Sequence, residues 1–306
     1  MAAHWEAVFP AGTITREGGC SMKKKHGLAP YAYLFFSMLF IIGFIYYPAI
    51  KTMFKSLYLV NAENHPVAFV GLANYRTLFS DPEFRGAVRV TFQYALCSVP
   101  LTIVIAYALA LVSARKRRLS RLYELLYALP MAVSMSVACV IFRILFNGNL
   151  GLINHVFGWS IQWFTDKSYT LVVLIIIGVW LEIGMNYLFL LSAVRGVNRD
   201  LLEAAELDGA SALKKVRYIY TPLISPTVFY LFCVDMGAAL MMSGPVIILT
   251  NGGPNGATTT MIYYMYRKGF YIFNYGLSYA SAVVAFAIGF VVILAAFAWE
   301  RKGVQY

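Results

Sequence analysis

Six windows of the sequence each hold about 20 predominantly apolar residues, the length that carries an α-helix across about 30 Å of hydrocarbon. They fall at about 28–50, 87–112, 122–146, 169–194, 223–250 and 277–299. A backbone in lipid must satisfy its N–H and C=O groups internally, so windows of this length predict helices. The expected fold class is therefore an all-α integral membrane protein with six transmembrane helices. Composition supports this reading. Only 13% of the residues are charged and 60% are hydrophobic, whereas a soluble domain carries about 25% charged residues.

The formal net charge is +11. Such a balance can signal nucleic-acid binding, but here the bases cluster just outside the apolar windows, so no nucleic-acid partner is expected and the lipid bilayer is. Residues 23–25 are lysines before the first window. "ARKRRLSR" carries Arg115, Lys116, Arg117, Arg118 and Arg121 between the second and third. Arg195, Arg199, Lys214, Lys215 and Arg217 lie between the fourth and fifth, and Arg301 and Lys302 follow the sixth. By the positive-inside rule these segments, and both termini, are cytoplasmic. The opposite loops carry Trp159 and Trp163, expected at the headgroup layer, and "FKSLYLVNAENHPVAFVGLANYRTLFSDPEF", expected as an interfacial helix and loop. Residues 1–21 are polar and have no apolar core of a signal peptide. They read as an extension ahead of a single domain, 22–306.

Four cysteines (Cys20, Cys97, Cys139, Cys233) have no metal-ligand spacing, and three fall in apolar windows, so neither a metal site nor a disulfide framework is expected. The histidines (His4, His26, His65, His155) are scattered through polar segments. No G-x-x-x-x-G-K-[ST], HExxH or GxSxG motif occurs, so the chain is expected to be no enzyme, to hold no cofactor and to hydrolyse no ATP itself.

One stretch breaks the apolar pattern: "LLEAAELDGASALKKVRYIYTPLISP", residues 201–226. It reads as helix, bend, helix within a loop at 198–222. Asp200 and Glu203 have the spacing of a capping box. Gly209 permits the bend, Ser211 caps a second helix, and Pro222 ends that helix or opens the fifth span. An amphipathic loop lying on lipid favours bases, because the cytoplasmic leaflet is negative. The acids Asp200, Glu203, Glu206 and Asp208 favour a protein partner instead.

This stretch resembles the EAA loop of binding-protein-dependent ABC importer permeases. Glu203, Ala204, Ala205, Gly209, Ile219 and Pro222 match that motif, and Asp208 lies within it. Thr221 stands where Leu is usual and Val216 where an aromatic is common. "YPAIKTMFKSL", "FVGLANYRTLFSDPEF" and "LTNGGPNGATTTMIYYMYRKGF" resemble, in order, segments of the carbohydrate permeases similar to the maltose and glycerol-3-phosphate systems. The resemblance runs from about residue 28 to the end. It implies a type I importer permease fold and one of two homologous permease subunits in a bacterial cytoplasmic (inner) membrane. It also implies an ATPase dimer that holds ATP and Mg and receives the EAA helix, and an extracytoplasmic substrate-binding protein that delivers cargo.

Two carboxylates lie inside apolar windows, Glu182 in the fourth and Asp235 in the fifth. Such groups cost about 2.5–3.5 kcal/mol at the centre of a helix on insertion scales, so they face a wet cavity or a partner. Both alternatives, lining the cargo path or bonding neighbouring helices, stand at this point. Asn186 shares a helical face with Glu182. Met241, Met242 and Ser243 lie beside Gly244-Pro245, a kink site, and Arg143 is placed to snorkel. No base lies deep in a window, so a neutral sugar or oligosaccharide is expected as cargo, with glycerol 3-phosphate or a related polyol phosphate as the alternative. A stand-alone secondary transporter or channel is the reading from a different class.

Overall fold

The computed structural model describes residues 29–114 and 118–303. The expectations for residues 1–21, for the lysines 23–25 and for Arg115, Lys116 and Arg117 lie outside them. By internal packing the chain divides at Pro48. In the first unit the described residues are helical, Ala29–Ile41 followed by a π turn, Ile42–Tyr46. Large apolar side chains there, Phe36 and Phe44 among them, are exposed, as a helix requires when lipid is its solvent.

The second unit is nearly all helix. After the end of the helix Tyr47–Ser56 comes a short hairpin, β1 (Tyr58–Val60) antiparallel to β2 (Pro66–Phe69), with Tyr58 opposite Phe69. Within the stretch expected as a helix and loop, the hairpin stands in place of the loop and Ala73–Ser80 is the short helix. Helices follow: α1 (Ala73–Ser80), α2 (Pro82–Ser113), α3 (Ser120–Ala128), α4 (Met135–Leu145), α5 (Leu152–Phe157), α6 (Lys167–Arg195), α7 (Arg199–Leu207), α8 (Ala212–Leu240), α9 (Met261–Phe270) and α10 (Tyr275–Gly303). Among the described residues, counting the first helix (Leu34–Ser56), five helices are long and apolar enough to cross a membrane, and a broken pair brings the number to six if it counts as one span.

That broken pair corrects the expectation of a straight third span at 122–146. Ser120–Ala132 and Met135–Leu145 meet at 103°. Pro130 has no N–H to donate, the chain tightens into a 3₁₀ turn at Leu129–Ala132, and Val133 is extended. Ser134 then starts α4 by accepting a hydrogen bond from the Val137 N–H. The corner packs on α6 at Gly184, where an added Cβ would lie 3.1 Å from both the Ala128 oxygen and the Met131 nitrogen.

The fifth span also differs from its window, 223–250. Its helix ends at Leu240, unwinds over residues 241–243, and resumes at Gly244-Pro245, leading into a π turn, Val246–Thr250. The break lies directly before Gly244-Pro245, where a kink was expected. At its other end α8 starts at Ala212, so the second helix of the 198–222 loop and the fifth span are one helix. Pro222 does not end it. A π turn at Val216–Tyr220, one residue before the proline, shifts the hydrogen-bond register, and the Thr221 hydroxyl donates to the Val216 carbonyl at 2.8 Å.

α2 and α6 lie along each other, and the main core forms between them and α8 around Tyr94, Val99, Ile177 and Leu240. Phe84, Met261 and Tyr264 centre a second cluster, and Ala106, Tyr187, Leu190 and Ile224 a third. Polar clips hold the two ends. At one end Arg195 pairs with Glu124 at 2.5 Å and donates to the Ser113 carbonyl at 3.0 Å. At the other, Asp81 caps α2 through the Glu83 N–H, accepts from the Tyr264 hydroxyl at 2.7 Å and pairs with Lys268, while Arg267 pairs with Glu83. Burial raises the Asp81 pKa, but the Tyr264 hydroxyl, the Glu83 N–H and Lys268 together outweigh it, and the carboxyl ends below its ordinary value of 3.8.

Two side-chain expectations are corrected. Trp163 is no headgroup anchor: it is buried and its Nε1–H donates to Asn154 Oδ1 at 2.7 Å, although Trp159 is exposed. Arg143 turns to the π turn of the fifth span and donates to the Ile248 carbonyl at 2.5 Å. Cys97, Cys139 and Cys233 are free thiols.

Candidate functional site

The 198–222 loop is built from local chemistry. Asn198, not Asp200, caps α7, its Oδ1 accepting from the Asp200 N–H at 3.0 Å. Asparagine sits two positions earlier than the cap of the expected capping box and satisfies the end directly, which leaves Asp200 in the first turn where its charge suits the helix dipole. The other end of α7 closes as a Schellman motif. Ala210 N–H donates to the Ala205 carbonyl at 2.9 Å, and Gly209 N–H to the Glu206 carbonyl at 3.0 Å. The motif needs a left-handed residue at Gly209, whose φ is +72°. Ser211 then caps α8 through the Lys214 N–H, as expected. Lys215 reaches back across the bend to Glu206 at 2.5 Å.

The expected loop residues divide in two. Glu203, Ala204, Asp208 and Gly209 are exposed. Ala205, Ile219 and Pro222 are half-buried, and Ile219 packs with Leu202 on the third core cluster. Thus part of the motif anchors the loop and part presents a surface. Sequence reasoning passed over the residues that dominate that surface. Leu207 is 91% exposed and Leu213 is 77% exposed, on either side of Gly209. Two leucines held out by the bend among charges leave exposed apolar surface there. Their signal in the sequence was an apolar residue on each flank of the glycine in a charged stretch.

The second site lies within the bundle. A cavity of about 350 Å³ is lined by Glu182, Asp235, Met241, Met242 and Ser243, all expected along a cargo path, and by hydroxyls of Tyr94, Ser98 and Thr102. A neighbouring cavity of about 420 Å³ shares Met135, Leu181, Glu182 and Asp235 with it. Both volumes fall within the range of about 300–1,000 Å³ usual for small-molecule pockets. Gly178 lets the Tyr94 ring approach, since an added Cβ would lie 2.0 Å from its hydroxyl.

Asn186 does not line either cavity. It is fully buried behind them, and its Nδ2 donates to the Glu182 carbonyl at 3.1 Å and to Asp235 Oδ1 at 3.2 Å. Asp235 thus bonds α8 to α6 through one oxygen and also lines the cavities. Among the described residues, no group of acids, histidines and cysteines could hold a metal ion.

With this geometry in view, comparison with known proteins is informative. Residues 98–302 match the family described as "Binding-protein-dependent transport system inner membrane component". The sn-glycerol-3-phosphate transport system permease protein UgpA of Pectobacterium atrosepticum is 33% identical over 279 residues, covering 89% of this chain and 94% of the relative. UgpA of Escherichia coli strain UTI89 is 32% identical over 281 residues, covering 90% and 95%. Among solved structures, a bacterial ABC transporter involved in the import of the acidic polysaccharide alginate superposes with a TM-score of 0.80 at 21% identity, covering 90% of this chain and 96% of that one. At that identity the likeness establishes the fold.

Proposed function

Because this chain belongs to the family of binding-protein-dependent transport system inner membrane components, we propose that it is one of two permease subunits of an ATP-driven importer in a bacterial inner membrane. The 198–222 loop is the seat of a separate ATPase subunit, which carries ATP and Mg, and an extracytoplasmic binding protein delivers the cargo. Both termini and the loop face the cytoplasm. The observation that carries this reading is the Schellman bend at Gly209 with Leu207 and Leu213 held outward. A closing ATPase dimer pulls on that surface, and α8 runs without interruption from the loop to Asp235. Movement of the docked end is thereby carried along one helix to the cavity.

The cargo is a neutral sugar or oligosaccharide. Support comes from the cavity linings, which contain carboxylates and hydroxyls and, among the described residues, no Lys, Arg or His. Carboxylates and hydroxyls accept hydrogen bonds from sugar hydroxyls, whereas phosphate recognition calls for cationic or N–H donors. Glycerol 3-phosphate is the second reading, favoured by the relatives that match along almost their whole length. Purification from native membranes tests the assembly. The expected result is co-elution with an ATPase and a second, different permease chain. A self-sufficient homo-oligomer that transports without ATP overturns it.

A further inference from the structure

The partition between the two cavities contains acceptors that no described residue satisfies. Asp235 is only 5% exposed, and its Oδ2 has no hydrogen-bond partner although Oδ1 is held by Asn186. Asn186 Oδ1, fully buried behind it, is also unpartnered. Glu182 lines both cavities beside Asp235. Buried polar atoms without partners are rare and costly, and a buried carboxylate oxygen is costlier than a neutral one. The arrangement is therefore incomplete without a donor from outside the chain. Among the described residues, the side-chain donors on the cavity walls are the hydroxyls of Tyr94, Ser98, Thr102, Tyr230 and Ser243, and none of the lining groups is cationic.

We propose that Glu182 and Asp235, with Asn186 fixing the Asp235 carboxylate, form a cargo subsite that binds hydroxyl groups of an uncharged polyol or sugar and rejects phosphate and carboxylate groups. This rests on the reading of the chain as an importer permease and sharpens it. Selectivity against anions is built into this subunit and does not rest on the delivering protein alone. The chemistry is simple. An ionised carboxylate accepts only, and two of them side by side match adjacent hydroxyls, each giving one O–H. The same two charges repel a phosphate in a site that offers no compensating cation. Asn186 is a positioning residue: its Nδ2 spans the Glu182 carbonyl and Asp235 Oδ1, locking α6 to α8 so that Oδ2 is left for the ligand.

The test uses the purified permease-containing particle in lipid nanodiscs without its binding protein, read by saturation-transfer NMR, which detects weak contacts. The probes are glucose, maltose and glycerol, set against glucose 6-phosphate and glycerol 3-phosphate. Neutral probes are expected to bind at least about tenfold better than their phosphate counterparts, equivalent to about 1.4 kcal/mol. In Glu182→Gln that ratio falls toward one. Asp235→Asn does the same while keeping an oxygen for Asn186. A merely structural role for the acids lowers yield or stability and leaves the ratio unchanged. The subsite is overturned if phosphate probes bind the unmodified protein as well as neutral ones, if no neutral probe gives a signal, or if neither variant moves the ratio. Co-elution of an ATPase in the same preparation reports on the importer reading separately, so the two can fail independently.

Discussion

Replacing Gly209 with valine isolates the backbone conformation of the bend. A Cβ built at this position meets nothing within 4 Å, so the substitution carries no steric clash with neighbours. The whole cost arises from φ, which is +72°. For an L-residue the left-handed region costs about 1–2 kcal/mol, and a β-branched side chain is the worst suited to it. A penalty of this size lowers the population of the bent conformation about 5- to 30-fold. The two hydrogen bonds that close α7, Ala210 to Ala205 and Gly209 to Glu206, are the ones lost when the chain relaxes. Leu207 and Leu213 then no longer share one rigid surface. The expected outcome is a membrane-inserted permease that retains little ATPase on affinity purification, with cargo uptake and ATP hydrolysis falling together. Gly209→Asn is the control, because asparagine tolerates the left-handed region, and it should retain most of the ATPase. A Gly209→Val complex with full ATPase occupancy and coupled transport refutes the reasoning. Equal losses in the asparagine and valine variants do so too, because a penalty from φ separates them.

The remaining predictions probe the bundle. Gly184→Ala sets a methyl against the backbone of the bent third span, 3.1 Å from the Ala128 oxygen and the Met131 nitrogen; it should cost about 1–3 kcal/mol, read as a lower melting temperature in detergent, and an unchanged value sinks the close-approach account. Asp81→Asn removes a carboxylate whose folded pKa lies below 3.8. Such a group stabilises the fold above its unfolded value of about 3.9 and loses that contribution as pH falls through the lowered folded value. The stability difference from the unmodified protein should therefore be largest above about pH 4 and close below it, whereas a difference independent of pH contradicts the assignment. For topology, an engineered cysteine at Leu150, which is 90% exposed, should react with an impermeant maleimide in intact cells. One at Leu119, which is 64% exposed, should react only after permeabilisation; the reverse pattern inverts the orientation.

The sequence by itself determined the solvent of this protein and the positions of its long helices. Apolar windows of about 20 residues leave the backbone no choice but helix in lipid, and the windows at 87–112, 169–194 and 277–299 fall within the helices Pro82–Ser113, Lys167–Arg195 and Tyr275–Gly303. The bend at Gly209 was also legible, because a glycine between a capped helix and a new serine cap is a local signal. Hydropathy has no direction, however. It could not distinguish a straight third span from two helices meeting at 103°, because Pro130 and Ser134 act through hydrogen bonds and leave apolarity almost unchanged. It placed Trp163 at the membrane surface, but packing and the Asn154 bond hold it in the core. Only tertiary structure decided how Glu182, Asn186 and Asp235 come together. Asn186 and Asp235 are 49 residues apart in sequence and meet because α6 and α8 pack side by side. Which oxygen of Asp235 bonds the neighbouring helix, and which is left to the cavity, depends on the distance and rotation of those two helices, and neither is encoded in any local pattern.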